Sequence, residues 1–441
     1  MPFIAPQKAA YLGGFLIALS FYSLTISPPL SNASVYDSQR IVELVSLTLL
    51  CTLFPAASWP RRIKGLAATL FFSAGLISVI MAKNPFWALI EYLRILLLFL
   101  LAFSIATMQH FARTIILHTV IFMAFIATVK VIIGIHVTSQ LGGGIAAIAA
   151  NFSNHRHFAE FFIAIEGLLA FFILNNNGKT KFSLLAAIPL TTASIVVLIG
   201  ASRASGLALL SSAAVFILLS EKYKPRSSAI IIASGLTGWL VTSLLIATSP
   251  LEQTIIRQGD SGRLHLWSAA IDSWLIVPFF GLGPMHFSAI PNDIAAHPHN
   301  AALQILCEWG LIALCAIALF FASWWHSIFS LRLVKKKINP PAAAALAGLV
   351  ISSMFGGVLV IPAVELLFFI LLGLTIAPEA TDWRPVASLA TIARTLSLML
   401  CVLCIATWPW RNIDVARGAP IDAPRFWQNG GLPQVYWKDA P

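Results

Sequence analysis

Residues 86–108 read FWALIEYLRILLLFLLAFSIATM, a run of 23 residues that is apolar almost throughout. A helix of roughly 20 apolar residues is long enough to cross the hydrocarbon core of a bilayer, which is about 30 Å thick. A barrel strand would be about ten residues long with alternating polarity, and backbone groups in lipid must be satisfied within helices or closed barrels. The stretch therefore predicts a transmembrane helix.

Similar stretches recur along most of the chain. Of its 441 residues, 59% are hydrophobic and 10% are charged, and the mean hydropathy is +0.87, whereas a soluble domain carries roughly a quarter charged residues. We predict an all-α polytopic transmembrane bundle of about 12–13 spans, whose first span is an anchor and not a cleavable signal peptide. The predicted spans are residues 10–28, 41–58, 65–82, 86–108, 113–135, 158–175, 182–200, 204–220, 227–248, 300–328, 342–361, 364–377 and 386–409. The chain then divides into transmembrane helices 1–9 (1–248), a large outer loop (249–300), transmembrane helices 10–13 (301–410) and a C-terminal tail (411–441).

The basic residues sort to one side of these spans. With the N-terminus inside, short inner loops hold fifteen of the twenty-eight Lys and Arg residues, so the net charge of +11 mainly reports orientation. A nucleic-acid-binding protein would need a folded domain with one basic face, and the sequence predicts none. The inner basic residues are Lys8, Arg61, Arg62, Lys64, Arg113, Lys179, Lys181, Lys222, Lys224, Arg226, Arg332, Lys335, Lys336, Lys337 and Arg384.

The long outer loop contains a predicted helix from about Asp260 to Val277, stopped by Pro278. Asp260 or Ser261 is the expected N-cap, and Arg263 lies in the first turn, where free amides and the helix dipole already favour an anion. Arg263 is therefore a candidate phosphate ligand, although a structural pairing with Asp260 is also open. The predicted apolar face, typical of a helix in the membrane interface, consists of Leu264, Trp267, Ile271, Trp274 and Leu275.

The same loop ends in His297-Pro298-His299-Asn300, directly before a predicted span. Asn300 is a natural N-cap, which places His299 at a helix N-terminus. The positive end of the helix dipole favours a neutral imidazole, the form that a general base requires. Asn300, Gln304 and Glu308 are spaced by four and share one helix face, and polar residues within a span usually face a cavity or the bundle interior.

Two other roles for the histidine pair stay open. His297 and His299 could bind a metal ion together with His286, His265, Asp293 or Asp260, although consecutive turn positions differ from the helical spacing of the common zinc motif. An interfacial structural role is the third possibility.

Two further cations lie at outer span ends. Arg203 stands in Ala201-Ser202-Arg203-Ala204-Ser205-Gly206, among small residues that would let a bulky ligand approach, although a snorkelling role is open. Arg156 begins another span beside His157, and Glu160 lies one turn away as a possible ion-pair partner. The guanidinium group of arginine makes bidentate hydrogen bonds to phosphate oxygens and stays charged in a low dielectric. Arg203, Arg263 and Arg156 thus predict a site for a lipid diphosphate.

Several enzyme classes are disfavoured because their sequence motifs are absent. The sequence has no Asp-x-Asp for a metal-bound sugar nucleotide, no Gly-x-Ser-x-Gly and no Walker loop. It also lacks the two close outer carboxylates of a retaining glycosidase. Direct displacement remains, in which a base deprotonates an acceptor hydroxyl that attacks an anomeric carbon as the diphosphate leaves. This reaction inverts the anomeric configuration and needs no metal and no cofactor.

From about residue 151 onward, the chain resembles the O-antigen ligase (WaaL-type) family, which belongs to a wider group of bacterial oligosaccharide ligases, polymerases and protein O-oligosaccharyltransferases. The residues that carry the resemblance are Asn154-His155-Arg156-His157-Phe158-Ala159, Ser202-Arg203-Ala204-Ser205-Gly206, Ser261-Gly262-Arg263, Trp267, Gly281-Leu282-Gly283, His297-Pro298-His299-Asn300 and Glu308-Trp309-Gly310-Leu311.

The resemblance implies a GT-C-like membrane glycosyltransferase that moves O-antigen from undecaprenyl diphosphate to the lipid A core. The reaction would be inverting and metal-independent, on the periplasmic side of a Gram-negative inner membrane. It implies His299 as the catalytic base, Arg203 and Arg263 as diphosphate ligands, and Arg156 as a weaker match, since relatives often carry Asn-Pro-Asn-His there. His157, His297, Asn300, Gln304 and Glu308 would support them. An O-antigen polymerase, a protein O-oligosaccharyltransferase and, outside enzymes, a flippase of the same lipid-linked sugar remain alternatives.

Overall fold

The architecture is a bundle of α-helices with one short two-stranded ribbon, seen in a computed structural model. The helices are α1 (Pro6–Thr25), α2 (Val35–Leu53), α3 (Arg62–Met81), α4 (Pro85–Thr107), α5 (His110–Leu141), α6 (His155–Asn176), α7 (Thr180–Ser183), α8 (Ala187–Ile199), α9 (Arg203–Leu219), α10 (Lys224–Thr248), α11 (Arg263–Ile276), α12 (Ala301–Leu333), α13 (Pro340–Ser353), α14 (Pro362–Thr375) and α15 (Leu389–Thr407). Strands β1 (Ser58–Pro60) and β2 (Trp383–Pro385) pair antiparallel. The structure describes residues 6–25, 35–53, 58–141, 152, 155–176, 180–200, 202–220, 224–248, 262–290, 292, 294–333, 338–375, 383–386 and 388–407.

The predicted all-α membrane bundle is confirmed. Among the described residues, seven helices are long and apolar enough to cross a membrane, namely α3, α4, α5, α6, α10, α12 and α15. Each of the thirteen predicted spans overlaps a helix, but several of those helices are shorter than a full crossing. The predicted C-terminal tail lies outside the described residues.

The core of the bundle is formed around α4, α6 and α14. In the spanning windows of α4 and α6, 83% and 89% of the residues are buried, and α14 is buried along its whole length. The window of α10, in contrast, is only 22% buried, as expected for a helix that faces lipid. Of these buried helices, α6 carries Arg156 and His157 at its N-terminal end.

The predicted span 342–361 is wrong in its extent. α13 ends at Ser353 and α14 begins at Pro362, so the residues between them form a turn containing Gly356 and Gly357. Each helix has 14 residues, or about 21 Å at 1.5 Å per residue, which is less than the hydrocarbon thickness. The Asn339 N–H donates to the Thr375 carbonyl at 3.2 Å, so the start of α13 and the end of α14 lie at the same face of the bundle. Their connecting turn, the 354–361 turn, lies toward the other face.

α12 is also interrupted, where the sequence predicts one continuous span over 300–328. Gly310 has φ 83° and ψ 176°, a conformation that only glycine adopts readily. The segment after α11 packs into this break, with Gly283 N–H donating to the Glu308 carbonyl and Leu311 N–H to the Pro278 carbonyl, both at 2.9 Å. A side chain at Gly310 would overlap this segment.

Two of the loops predicted to lie inside meet at the short β-ribbon. Trp59 of β1 pairs with Arg384 of β2, and the Lys64 ammonium lies 5.7 Å from the centre of the Trp324 ring. The ribbon joins two of the predicted inner loops, and the Lys64 contact joins one of them to the end of the predicted span 300–328. Their shared side agrees with the predicted topology, while the assignment of that side to the cytoplasm stays a prediction.

Candidate active site

α11 carries Arg263 as its first residue, as the sequence predicts for a first-turn cation. The prediction of Asp260 or Ser261 as its N-cap is wrong, because Gly262 holds that position with φ 75° and no side-chain cap bond. Asp260 and Ser261 themselves lie outside the described residues. The first-turn amides of α11 therefore have no side-chain cap from Gly262, and Arg263 stands beside them.

Most of the apolar face predicted for α11 is turned away from the protein core, although Trp267 packs against a buried cluster. Leu264 and Leu275 are 64% and 61% exposed, whereas Leu266 and Ala270 are buried in a small cluster with Phe287 and others. Exposed leucines on a helix of this kind favour contact with lipid. The position of α11 in the membrane interface stays a prediction.

Arg203 and Arg263 line one cavity of about 520 Å³. Arg203 is the first residue of α9, whose N-cap Ser202 accepts a hydrogen bond from the Ser205 N–H at 3.3 Å. The other lining residues are Ala204, Leu207, Leu264, Trp267 and Phe355. Two arginines that are sixty positions apart in sequence therefore share one cavity, and the other residues that line it are apolar. The sequence predicts that a lipid-linked anion binds these arginines.

His299 stands at the start of α12 in an unusual backbone conformation. Its φ of 52° is left-handed, which is uncommon for a residue other than glycine and typical of constrained sites. Its N–H donates to Nδ1 of the buried His297 at 3.2 Å, and the ring centroids are 4.1 Å apart. Asn300 is the predicted N-cap, since its Oδ1 accepts the Leu303 N–H at 2.9 Å. Because Nδ1 of His297 accepts, the neutral ring carries its proton on Nε2.

The electrostatic surroundings keep His299 neutral. Burial is the largest cause that lowers the pKa of His299 from 6.5 to about 4, and the positive charges of Arg263 and Arg156 contribute to the same shift. An imidazole with this pKa is unprotonated at neutral pH, as a general base must be. From the sequence we expected the helix dipole to keep His299 neutral. In the structure, burial and the charges of the two arginines lower its pKa. His299, Arg263 and Arg156 thus lie within electrostatic reach of one another.

Trp267 connects α11 to the histidine loop. Its Nε1–H donates to the Pro298 carbonyl at 3.0 Å, one residue before His299. Since Trp267 also lines the cavity of Arg203 and Arg263, the loop that carries His299 is attached to the cavity wall.

α6 brings Arg156 and His157 to the same region. His157 is buried, its Nδ1 is hydrogen-bonded to the hydroxyl of Tyr36, and it interacts electrostatically with His299 and Arg156. Tyr36 was missed by the sequence analysis, because an aromatic residue at the start of a span usually indicates an interface position. Asn154 of the Asn154-His155-Arg156-His157 segment lies outside the described residues.

Gln304 and Glu308 share the predicted helix face, but Glu308 is fully buried. Its Oε1 accepts the Phe287 N–H at 3.1 Å, and its Oε2 lies 3.5 Å from Nε2 of Gln304. These contacts attach α12 to the loop that packs into its break. The Glu308 side chain therefore contacts the backbone of this loop and does not line the cavity of Arg203 and Arg263.

The residues suggested as further metal ligands beside His297 and His299 are placed differently from one another. His286 donates from Nδ1 to the Pro284 carbonyl at 2.9 Å and accepts the Asn84 N–H on Nε2 at 3.1 Å, so both ring nitrogens are occupied. His265 lies exposed on α11. No group of three His, Cys, Asp or Glu side chains that could hold a metal ion occurs among the described residues, while Asp260 and Asp293 lie outside them.

Sequence reasoning also missed a group of charged residues inside the bundle, here called the interior ion cluster. Its signal was available, since two Arg–Glu pairs at helical i,i+3 spacing interrupt apolar stretches. The cluster consists of Arg40, Glu43, Glu91, Arg94 and Glu365, all at most 5% exposed.

Comparison with known families places part of the chain. Residues 188–318 match the family model described as O-antigen ligase. The matched segment contains Arg203, Arg263 and His299, whereas Arg156 and the 354–361 turn lie outside it. Among curated proteins, none matches the chain.

Proposed function

We propose that the protein transfers O-antigen from undecaprenyl diphosphate to the lipid A core at the periplasmic face of a Gram-negative inner membrane. The match of residues 188–318 to the family model described as O-antigen ligase supports this proposal. The observation that carries this proposal is the meeting of a neutral His299 with Arg263 and Arg156, beside a cavity that Arg263 shares with Arg203.

The arginines would bind the donor. A diphosphate presents several anionic oxygens, and guanidinium groups contact such oxygens in pairs with charge-assisted hydrogen bonds. The cavity wall is otherwise apolar, with Leu207, Leu264 and Phe355. Together with the exposed leucines of α11, this wall suits the first prenyl units of a lipid carrier.

His299 would act as the general base. It takes the proton of the acceptor hydroxyl, whose oxygen forms a bond to the anomeric carbon of the donor while the bond from that carbon to the diphosphate oxygen breaks. The electron pair of the broken bond leaves with the diphosphate, and Arg203 and Arg263 stabilise the added charge. One displacement of this kind inverts the anomeric configuration, and no metal or other cofactor takes part in the proposed steps.

The proposal is tested with purified protein, an undecaprenyl diphosphate-linked glycan and three separate acceptors: lipid A core, a lipid-linked glycan and a protein. We expect an inverted product on the lipid A core, formed equally well in the presence of a chelator. Product only on the lipid-linked glycan or only on the protein would instead identify a polymerase or a protein O-oligosaccharyltransferase.

The matched variants are His299→Ala and His265→Ala, since His265 is an exposed histidine on α11. General bases contribute about 10²- to 10⁴-fold to rates, so His299→Ala should lose transfer by such a factor and still bind donor. His265→Ala should transfer normally. If His299→Ala still moves the lipid-linked sugar across the membrane as well as the wild type does, the protein would instead be a flippase.

A further inference from the structure

The 354–361 turn contacts the proposed active site at two points. Phe355 lines the cavity with Arg203 and Arg263. Gly357 packs on His297, since a Cβ atom at this glycine would lie 3.1 Å from Cε1 of the His297 ring. This spacing is tighter than ordinary carbon–carbon contact, so a side chain at position 357 would not fit between the turn and the His297 ring without displacing one of them.

Glu160 of α6 meets the same turn. Its side chain is 5% exposed, and the Gly357 backbone N–H lies within hydrogen-bonding reach of its carboxylate. Gly356 packs so closely that a Cβ atom there would overlap Oε1 of Glu160. The other carboxylate oxygen, Oε2, is buried with no hydrogen-bond partner, and the carboxylate interacts electrostatically with Arg263 and Arg156.

The far end of the turn is fixed by the interior ion cluster. The Arg40 guanidinium donates from Nη2 to the Val360 carbonyl at 2.7 Å. The Val360 and Ile361 amides both donate to the Gly357 carbonyl, at 2.9 and 3.0 Å. Gly357 is therefore held by hydrogen bonds on its carbonyl side, while its amide lies next to the Glu160 carboxyl group.

We propose that Glu160 is a positioning residue that, through the Gly356–Gly357 turn, sets the geometry of His297 and hence of His299. His297 in turn accepts the His299 backbone N–H, at the residue whose left-handed backbone needs support from its surroundings. This inference rests on the proposed function, because it concerns the base of that reaction.

The test compares kcat and the donor KM for Gly356→Ala, Glu160→Ala and Glu160→Gln. An added methyl at Gly356 displaces the flexible end of Glu160, so both alanine variants should lose the support of the turn. A misplacement of about 1 Å can lower a rate by about 100-fold, and we expect kcat to fall by about 10-fold or more with the donor KM within about threefold. Glu160→Gln keeps an acceptor for the Gly357 amide and should retain kcat within about threefold.

The double variant Glu160→Ala with Gly356→Ala separates this mechanism from general damage. If the methyl acts through Glu160, the second substitution should change kcat by less than about twofold, since effects on one shared contact are not additive. The control is Gly235→Ala on α10, where a Cβ atom meets nothing within 4 Å. Rates are expressed per donor-binding site, so that loss of folded protein does not count as loss of kcat.

Three results would overturn the inference: normal kcat in Gly356→Ala, multiplied losses in the double variant, or a raised donor KM with unchanged kcat. The last result would place the effect of Glu160 on the arginines instead of the histidines. His299→Ala is measured in parallel. If it transfers normally, the proposed function fails; if it is inactive while the turn variants are normal, only the role of Glu160 fails.

Discussion

The interior ion cluster and the proposed active site both contain arginines, yet they differ in what surrounds them. In the cluster, Arg94 lies 2.7 Å from Glu91 and 3.7 Å from Glu43 and also pairs with Glu365, and every member is at most 5% exposed. Two guanidinium groups there face three carboxyl groups. Pairing of this kind offsets part of the hydration that these charges lose on burial.

At the proposed active site, the arginines stand at helix starts around open space. Arg203 is exposed and Arg263 is partly buried, and both border the cavity of about 520 Å³. Glu160 is the buried carboxylate that interacts with Arg263 and Arg156. The comparison separates arginines enclosed by carboxyl groups, which join helices, from Arg203 and Arg263, which border a cavity with mainly apolar walls.

The largest expected effect comes from removing a cation from the interior ion cluster. Arg94→Met would remove the cation paired with Glu91 and one of the two cations paired with Glu43 and Glu365, and breaking a buried pair costs about 3–5 kcal/mol of folding free energy. We expect little folded protein in the membrane. Arg203→Met, the matched substitution at an exposed arginine, should unfold at the same temperature as the wild type. Equal stability of the two variants, measured by thermal unfolding in detergent, would remove the distinction between the two regions.

The next effect is on donor use. Arg203→Ala and Arg263→Ala each remove charge-assisted hydrogen bonds worth about 1.5–3 kcal/mol, so kcat/KM for the donor should fall by about 10- to 100-fold. Arg226→Ala is the control, since Arg226 hydrogen-bonds with Ser183 in the predicted inner region. Normal turnover in both site variants would contradict a diphosphate role, whatever the stability measurements give.

A smaller effect is expected on the pH dependence of the reaction. The neutral form of His299 is the active base, and its pKa is about 4, so kcat/KM should stay level from pH 7 to about pH 5 and fall near pH 4. Arg156→Gln removes one of the positive charges that lower this pKa. The acid limb of kcat/KM should therefore move upward, toward the ordinary value of 6.5. A limb that does not move, or that moves to lower pH, would mean that Arg156 does not act on His299.

The parts of the fold that follow from local pattern could be predicted from the sequence. Uninterrupted apolar stretches gave the helices, and the alternation of span direction put Arg203, Arg263 and His299 on one side. The break at Gly310 could not be foreseen, because it depends on a segment that starts at Pro278 and packs into it.

Long-range partners were equally hidden. Arg40 and Glu365 are far apart in sequence but 3.2 Å apart in space, and the reversal at Gly356 and Gly357 lay within a stretch hydrophobic enough to predict a span. Local pattern therefore predicted which residues could bind an anion, while the support beneath His299 depends on tertiary contacts.

The smallest expected effect concerns the cap beneath Arg203. The Ser202 hydroxyl oxygen accepts the Ser205 N–H at the start of α9, and replacing such a cap by alanine costs about 1 kcal/mol. Ser202→Ala should lower the unfolding temperature slightly and leave the charges of the cavity in place. If Arg203 needs a fixed helix start to hold a diphosphate, the donor KM should rise by a few fold with kcat unchanged. Asn339→Ala removes the equivalent cap on α13, where Oδ1 accepts the Ala342 N–H at 3.2 Å, and should lower stability by a similar amount without changing the KM. An equal rise of KM in both variants would show that the cap affects donor binding only through overall stability.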